Sequence, residues 1–232
     1  MEKAEFDQFA AEYLAQHAAN IRASGESPEF FARYKVEDAC REVRARGVPV
    51  ARILDFGSGI GNSVPFFMAA FPGAELTCAD VSTRCLELSQ HRFPEVEVRY
   101  VELAGDALPF PDEHFDLAFS ACVFHHIQPE EHGRWLAELR RVTARNGVLM
   151  LFEHNPYNFL TVSAVRHCPF DANARLVDAP TLRRRLHACG WDGIRVAYRI
   201  FFPHRLAFAR PVERLLRWLP LGAQYVVSAT RP

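Results

Sequence analysis

The sequence predicts an α/β fold, a mostly parallel sheet with helices on both faces. Three observations carry this. Strand-like apolar runs alternate with helical patterns from Ile53 onwards, the first run enters a glycine-rich turn, and polar or acidic residues recur where the strands end. At 232 residues and 49% apolar content, the chain can build one substantial core.

The elements follow in order. Met1 to Gly47 places Phe6, Phe9, Tyr13, Phe30, Phe31 and Tyr34 at helical spacing and reads as two or three helices broken at SGESP (24–28). We expect residues 1–48 to form a helical lid, with Phe6, Phe9, Tyr13, Phe30 and Tyr34 able to face a ligand. The stretch ILDFGSGIGNSVPFF (53–67) reads as strand, glycine loop, helix, the helix running from Ser63 to about Phe71 and stopped by Pro72-Gly73. A strand from Glu75 to Asp80, a helix from Thr83 to His91 and a strand through Val96, Val98 and Tyr100 come next. The loop GDALPFPDEHFD (105–116) leads to a strand from Phe115 to Val123 that finishes in Phe124, His125 and His126. A helix from Pro129 to Ala144 turns Trp135, Leu136, Leu139 and Val142 to one side, and Gly147 to Phe152 is a further strand. Residues 49–155 are thus a ligand-binding core, and 156–178 an insertion over the active site containing a short helix. Residues 179–232 complete the sheet: a helix from Pro180 to Cys189, a strand from Gly193 to Phe202, a short helix from Pro211 to Leu219 and a strand from Ala223 to Ala229. That closing pattern places the last strand antiparallel between two neighbours.

Composition narrows the function. A formal net charge of -1 provides no field toward nucleic acid or anionic lipid, so neither a nucleic-acid nor a membrane partner is expected. No apolar run is long enough to cross a bilayer, and the first residues are acidic and amphipathic, so a cytoplasmic location is expected. Six scattered cysteines, without a CxxC pair, read as reduced core thiols. Arg183 to Arg185, Arg214 and Arg217 read as solvated helix faces. Apolar residues near the C-terminus, among them Phe208 and Trp218, suit a core or a homodimer interface equally.

Ligands of such sheets bind at the carboxyl ends of the strands, beside the point where strand order reverses. The glycines let main-chain N–H groups approach a ligand. Asp80, about 20 residues further on, can accept from a ribose diol. Asp106 can receive an exocyclic amine of adenine while Ala107 lines an apolar slot, and Asp55 can hold the loop or meet an ammonium group. His125, His154, Glu153, Asn155 and Tyr157 are the polar groups available for proton handling, with His125 or His154 favoured as a base. On extended chain only one of His125 and His126 can face the pocket. No histidine or cysteine spacing makes a metal site, and none is expected.

The ordered set ILDFGSGIG, CADVS, GDALPFPDEHFDLAFS and ELRRVTARNGVLML, spanning about Ala51 to Phe152, resembles the class I S-adenosylmethionine-dependent methyltransferases. Its G-x-G-x-G spacing lacks the third glycine of the G-x-G-x-x-G dinucleotide fingerprint, which favours the methyl donor over NAD. The resemblance implies a Rossmann-like, seven-stranded, mostly parallel sheet with an antiparallel last strand. It also implies S-adenosylmethionine as co-substrate. Asp55, Phe56, Gly57, Ser58, Gly59 and Gly61 would meet the methionine portion. Asp80 with Val81 would hold the ribose and Asp106 with Ala107 the adenine, and Ser120 would lie under the sulfonium. FEHNPYNFLTVSAVRHCPFD (152–171) and SGESPEFFARYK (24–35) resemble bacterial methyltransferase-like proteins associated with polysaccharide and secondary-metabolite clusters. The leading expectation is methyl transfer to O or N of a small molecule. The alternative is a cyclase that lets the donor's own amine attack, releasing methylthioadenosine, as azetidine-2-carboxylate synthases of this fold do. A non-catalytic nucleotide-binding module and an NAD oxidoreductase rank below both.

Overall fold

A computed structural model describes residues 25–232; Phe6, Phe9 and Tyr13 lie outside them. The strands are β1 (Arg52–Phe56), β2 (Glu75–Asp80), β3 (Val98–Glu102), β4 (Phe115–Ala121), β5 (Thr143–His154), β6 (Asp192–Arg199) and β7 (Gln224–Thr230). They form one sheet in the order β3-β2-β1-β4-β5-β7-β6. All pairs are parallel except those of β7, which is antiparallel to both β5 and β6. Order therefore reverses between β1 and β4, which opens a crevice at their carboxyl ends.

The helices are α1 (Pro28–Ala45), α2 (Val64–Ala70), α3 (Thr83–Arg92), α4 (His132–Val142), α5 (Phe159–Arg166), α6 (Ala179–Ala188) and α7 (Glu213–Leu216). The pleat divides the core between the two faces of the sheet. One face carries Leu54, Phe56, Ala118, Leu149 and Leu151 under Trp135, Leu136 and Leu139 of α4 and Leu182 and Leu186 of α6. The other carries Ile53, Leu117, Phe119, Met150 and Phe152 under Val36, Ala39 and Val43 of α1 and Phe67 of α2. Helix α1 starts at Ser27, whose Oγ accepts from Phe30 N, with Pro28 in the first turn where a missing N–H costs nothing. The described part of the segment read as a lid is one helix, whose first three turns reach the carboxyl end of the sheet through Tyr34, Lys35 and Asp38 while the rest packs on its face.

Several boundaries differ from those expected. β4 stops at Ala121: Cys122 takes φ +61, and Phe124–His126 form a 3-10 turn because the Glu153 carboxylate captures the Val123 and Phe124 amides. Helix α4 ends at Val142 and the chain passes directly into β5, four residues earlier than expected. There Arg231 Nη1 donates to the Arg141 and Thr143 carbonyls, and Asn146 supplies a left-handed residue at φ +61. The helix expected over 211–219 is a 3-10 segment, His204–Val212, followed by the single turn α7, because Pro211 has no N–H to continue the ladder. No described helix is long and apolar enough to cross a membrane.

Candidate active site

The glycine loop closes on the crevice. Gly57 N and Ser58 N donate to Ala79 O at 2.8 and 3.2 Å, which ties the end of β1 to β2. Gly57 has φ +73, and a Cβ there would lie 2.3 Å from Val123 Cγ2. Gly61 is equally committed, its missing Cβ falling 2.0 Å from Ser89 Oγ. Gly59, at φ +53, differs: among the described residues a Cβ there would meet nothing within 4 Å. Its N–H donates to Asp80 Oδ2 at 2.8 Å while Ser82 N donates to Oδ1 at 2.9 Å. Asp55 is buried, and burial together with the Asp80 charge pushes its carboxyl up to about 7. Ser120 Oγ is buried with no hydrogen-bond partner among the described residues.

The other expected cofactor residues sit less uniformly. The Phe56 ring is fully buried against Phe124 and Trp135, so only its main chain belongs to the loop. Val81 is partly buried against the core. Asp106 and Ala107 are on the surface, the Asp106 side chain 85% exposed and bonded to Arg134.

At the ends of β4 and β5, Glu153 and His125 form a buried ion pair. Glu153 accepts from Val123 N at 3.0 Å, Phe124 N at 2.7 Å and His125 Nδ1 at 2.6 Å. The other nitrogen, His125 Nε2, lies 3.4 Å from Asp171 Oδ1, as does His126 Nε2. Burial alone would depress the His125 imidazolium, but Glu153 and Asp171 outweigh it and raise the pKa to about 10. Both carboxylates are held below their usual range against the cost of burial, Glu153 by His125, and Asp171 by hydrogen bonds from His125 and His126. His126 is lowered, first by its partial burial and then by the neighbouring His125 charge. Between two carboxylates the protonated form of His125 is favoured, which weighs against the role of base expected of it and toward His154. The 3-10 turn also overturns the alternation argument, since both histidines reach the same Asp171.

His125 Nε2, His126 Nε2 and Asp171 Oδ1 lie within 4.8 Å of one another, a grouping that spacing along the chain could not reveal. Asn155 is fully buried and spends its amide on the main chain, donating to Pro220 O and Gly222 O and accepting from Tyr157 N. Tyr157 is 55% exposed. Asn155 thus holds the turn through its amide, and Tyr157 lies at the surface.

On the α1 face of the sheet lies a second polar cluster that the sequence reading missed. Lys35, only 6% exposed, places Nζ 3.3 Å from Cys122 Sγ. Burial would raise the Cys122 thiol, but Lys35 and then His154 outweigh it and bring it to about 6, so the group is a thiolate at neutral pH. His154 is raised in return, Cys122 outweighing the effect of burial. Tyr34 Oη donates to Gln224 Oε1, and Gln224 Nε2 sits 3.5 Å from His154 Nδ1 and 3.8 Å from Cys122 Sγ. Phe30 packs at 6.1 Å against the Tyr34 ring. Cys122 is accordingly no inert core thiol. One signal for Lys35 was present: it shares a helical stripe with Phe31 and Ala39, where a lone charge calls for a buried partner.

Comparison with known proteins agrees with this geometry. Residues 54–151 match the methyltransferase domain family. The chain is 36% identical over 107 residues to demethylmenaquinone methyltransferase of Thermus thermophilus, covering 45% of this chain and 48% of that one. It is 29% identical over 183 residues to malonyl-[acyl-carrier protein] O-methyltransferase of Geobacter sulfurreducens, covering 74% and 68%. The chain thus spans about half the length of the first of these relatives. Among solved structures, a methyltransferase described as a possible histamine N-methyltransferase from Thermotoga maritima superposes with a TM-score of 0.68 at 19% identity, covering 99% of each chain.

Proposed function

We propose, from the match of residues 54–151 to the methyltransferase domain family, that the protein is a class I enzyme that transfers a methyl group from S-adenosylmethionine to an oxygen or nitrogen atom of a small molecule in the cytoplasm. One observation carries the reading. A glycine cradle that the described residues leave open at Gly59, with a Ser120 hydroxyl that has no partner among them, lies at the same end of the sheet as a half-buried thiolate and histidine pair, Cys122 and His154.

When bound, the donor supplies an electrophilic methyl group on a positively charged sulfur. Asp55 would take its ammonium group, and an incoming cation favours the ionised form of a carboxyl poised near neutrality. Asp80 would accept from the ribose hydroxyls, and Asp106 with Ala107 would meet the adenine. The Ser120 hydroxyl would gain the partner it lacks. Tyr34 and Phe30 offer aromatic faces to a cation. On the acceptor side Cys122 and His154 share a proton in a site desolvated by α1, and Lys35 biases that sharing toward the thiolate. The pair is suited to receive the proton an O–H or N–H acceptor must lose. His125, Glu153 and Asp171 orient the turn that delivers Cys122. The matched relatives are named for demethylmenaquinone, malonyl-[acyl-carrier protein] and trans-aconitate, two of them small molecules and one a small acyl group on a carrier protein. The tail motifs suggest secondary metabolism or polysaccharide synthesis as its setting.

Purified protein incubated with S-adenosylmethionine and fractionated small-molecule extracts, followed by mass spectrometry, tests this. Acceptor-dependent S-adenosylhomocysteine supports it. Methylthioadenosine above the spontaneous background without acceptor would instead establish the intramolecular cyclisation.

A further inference from the structure

Between α1 and the segment that joins β6 to β7 lies a cavity of about 510 Å³, within the range that takes a small ligand. Its wall is dominated by arginines: Arg41, Arg199, Arg210, Arg214 and Arg217, against the carboxylates Glu37, Asp38 and Glu213. Those acids are already engaged. Asp38, 4% exposed, binds Arg41 through one oxygen and Arg199 through the other. Glu213 Oε1 accepts from the amides of Phe201 and Phe202 at 3.0 and 3.1 Å, and Glu37 lies a loose 3.9 Å from Arg41. Arg210 pairs with Glu26 outside the wall.

That leaves cation unmatched. Arg199 has a side chain 13% exposed, and its Nη1 is buried with no hydrogen-bond partner among the described residues. A buried guanidinium N–H without an acceptor is costly, and in a native site it points to a ligand that completes it. Arg214 and Arg217 enter no ion pair among the described residues. Arg217 is partly buried next to Arg199, and burial and then that neighbour's charge lower its pKa, which an anion would relieve. Planar guanidinium forks converging from β6 and α7 match the oxygens of a carboxylate or phosphate.

We propose that this cavity binds a small-molecule anion, through a phosphate or carboxylate group, using Arg199, Arg214 and Arg217. The site lies on the α1 side of the sheet, separated from the Cys122 cluster by Tyr34, which lines the cavity with its ring and reaches Gln224 with its hydroxyl. It does not depend on which reaction the neighbouring site performs.

The test is thermal unfolding of the full chain titrated with inorganic phosphate and, separately, with malonate, against sodium chloride at matched ionic strength. A saturable rise of about 5 °C or more at a hundredfold excess over the dissociation constant is expected with at least one of them. A response to phosphate alone assigns a phosphate site, and to malonate alone a carboxylate site. The Arg217→Gln and Arg214→Gln variants spare the buried Asp38 pair. They should lose at least tenfold in anion affinity while binding S-adenosylhomocysteine as the wild type does. No rise beyond the chloride control, or a rise undiminished in both variants, overturns the proposal.

Discussion

Replacing Glu153 by Gln keeps the shape of a fully buried side chain and removes its charge. The glutamine carbonyl can still accept from Val123 N and Phe124 N, but an amide NH₂ then faces His125 Nδ1 across what was a 2.6 Å charge-assisted bond. Removing one partner of a buried pair costs about 3–5 kcal/mol. Because His125 can shed its proton, the low end applies, about 3 kcal/mol and about 6–12 °C in Tm for a chain of this size. The pH dependence gives a sharper criterion. His125 has a pKa near 10 in the folded protein and 6.5 ordinarily, so between these values the native state holds a proton that the unfolded chain has released. Its contribution is complete below pH 6.5 and falls as pH rises through 10, with a ceiling of about 5 kcal/mol. Cys122 runs the other way, its stabilisation complete above pH 9 and lost as pH falls through about 6. Glu153 raises the Cys122 thiol by less than burial, Lys35 or His154 shifts it, so most of this contribution is common to both proteins, and the Glu153→Gln change pushes the remainder toward lower pH. Urea unfolding at intervals from pH 6 to 9.5 should therefore show a wild-type advantage near 3 kcal/mol at pH 6 that shrinks steadily toward alkaline pH. A constant difference across that range, or one below about 1 kcal/mol at pH 6, would refute the reasoning.

Three other substitutions probe the remaining parts. Lys35→Met removes the cation beside Cys122, so iodoacetamide labelling of that cysteine at pH 7, followed by peptide mass mapping, should slow about tenfold or more as the thiol returns toward its ordinary pKa; an unchanged pH profile would mean that Lys35 does not hold the thiolate. Gly57→Ala combines φ +73 with a 2.3 Å approach to Val123 and should cost about 2–4 kcal/mol in thermal or urea unfolding. A second change, Val123→Ala, should recover the packing share alone. S-adenosylhomocysteine should bind more tightly to the wild type as pH rises through about 7, where Asp55 ionises, whereas Asp55→Asn should bind about tenfold more weakly at pH 8 and show a flat profile by calorimetry.

What the sequence made legible was local. The strand over Glu75 to Asp80 was bounded correctly because Pro72-Gly73 stops the helix before it and the acid marks its end. The single sheet with its antiparallel closing strand followed from the change of rhythm after Asp178. The errors lie where distant residues override a local pattern. Phe115 to Val123 reads as continuous strand, yet Glu153, thirty positions later, takes the amides that would have extended it. Asp171 was not singled out because nothing near it in sequence shows that it meets two histidines. Cys122, Lys35 and Gln224 come from the turn after β4, from α1 and from β7, and no spacing rule joins three places so far apart along the chain.

The Asp171 contact with His125 and His126 is also a cross-link. It fastens a long excursion from the sheet, residues 156–178, back onto the turn after β4, and it does so with a proton where a disulfide would use a covalent bond. Closing such a loop carries an entropic cost that the paired charges must offset. A proton can be withdrawn by solution conditions alone, so the excursion should come loose at alkaline pH while the seven strands stay paired. Its exposed Arg166 and Arg175 would then be nicked by trypsin well before the core. Proteolytic susceptibility that rises with pH would in this way report the opening of one segment rather than the stability of the whole.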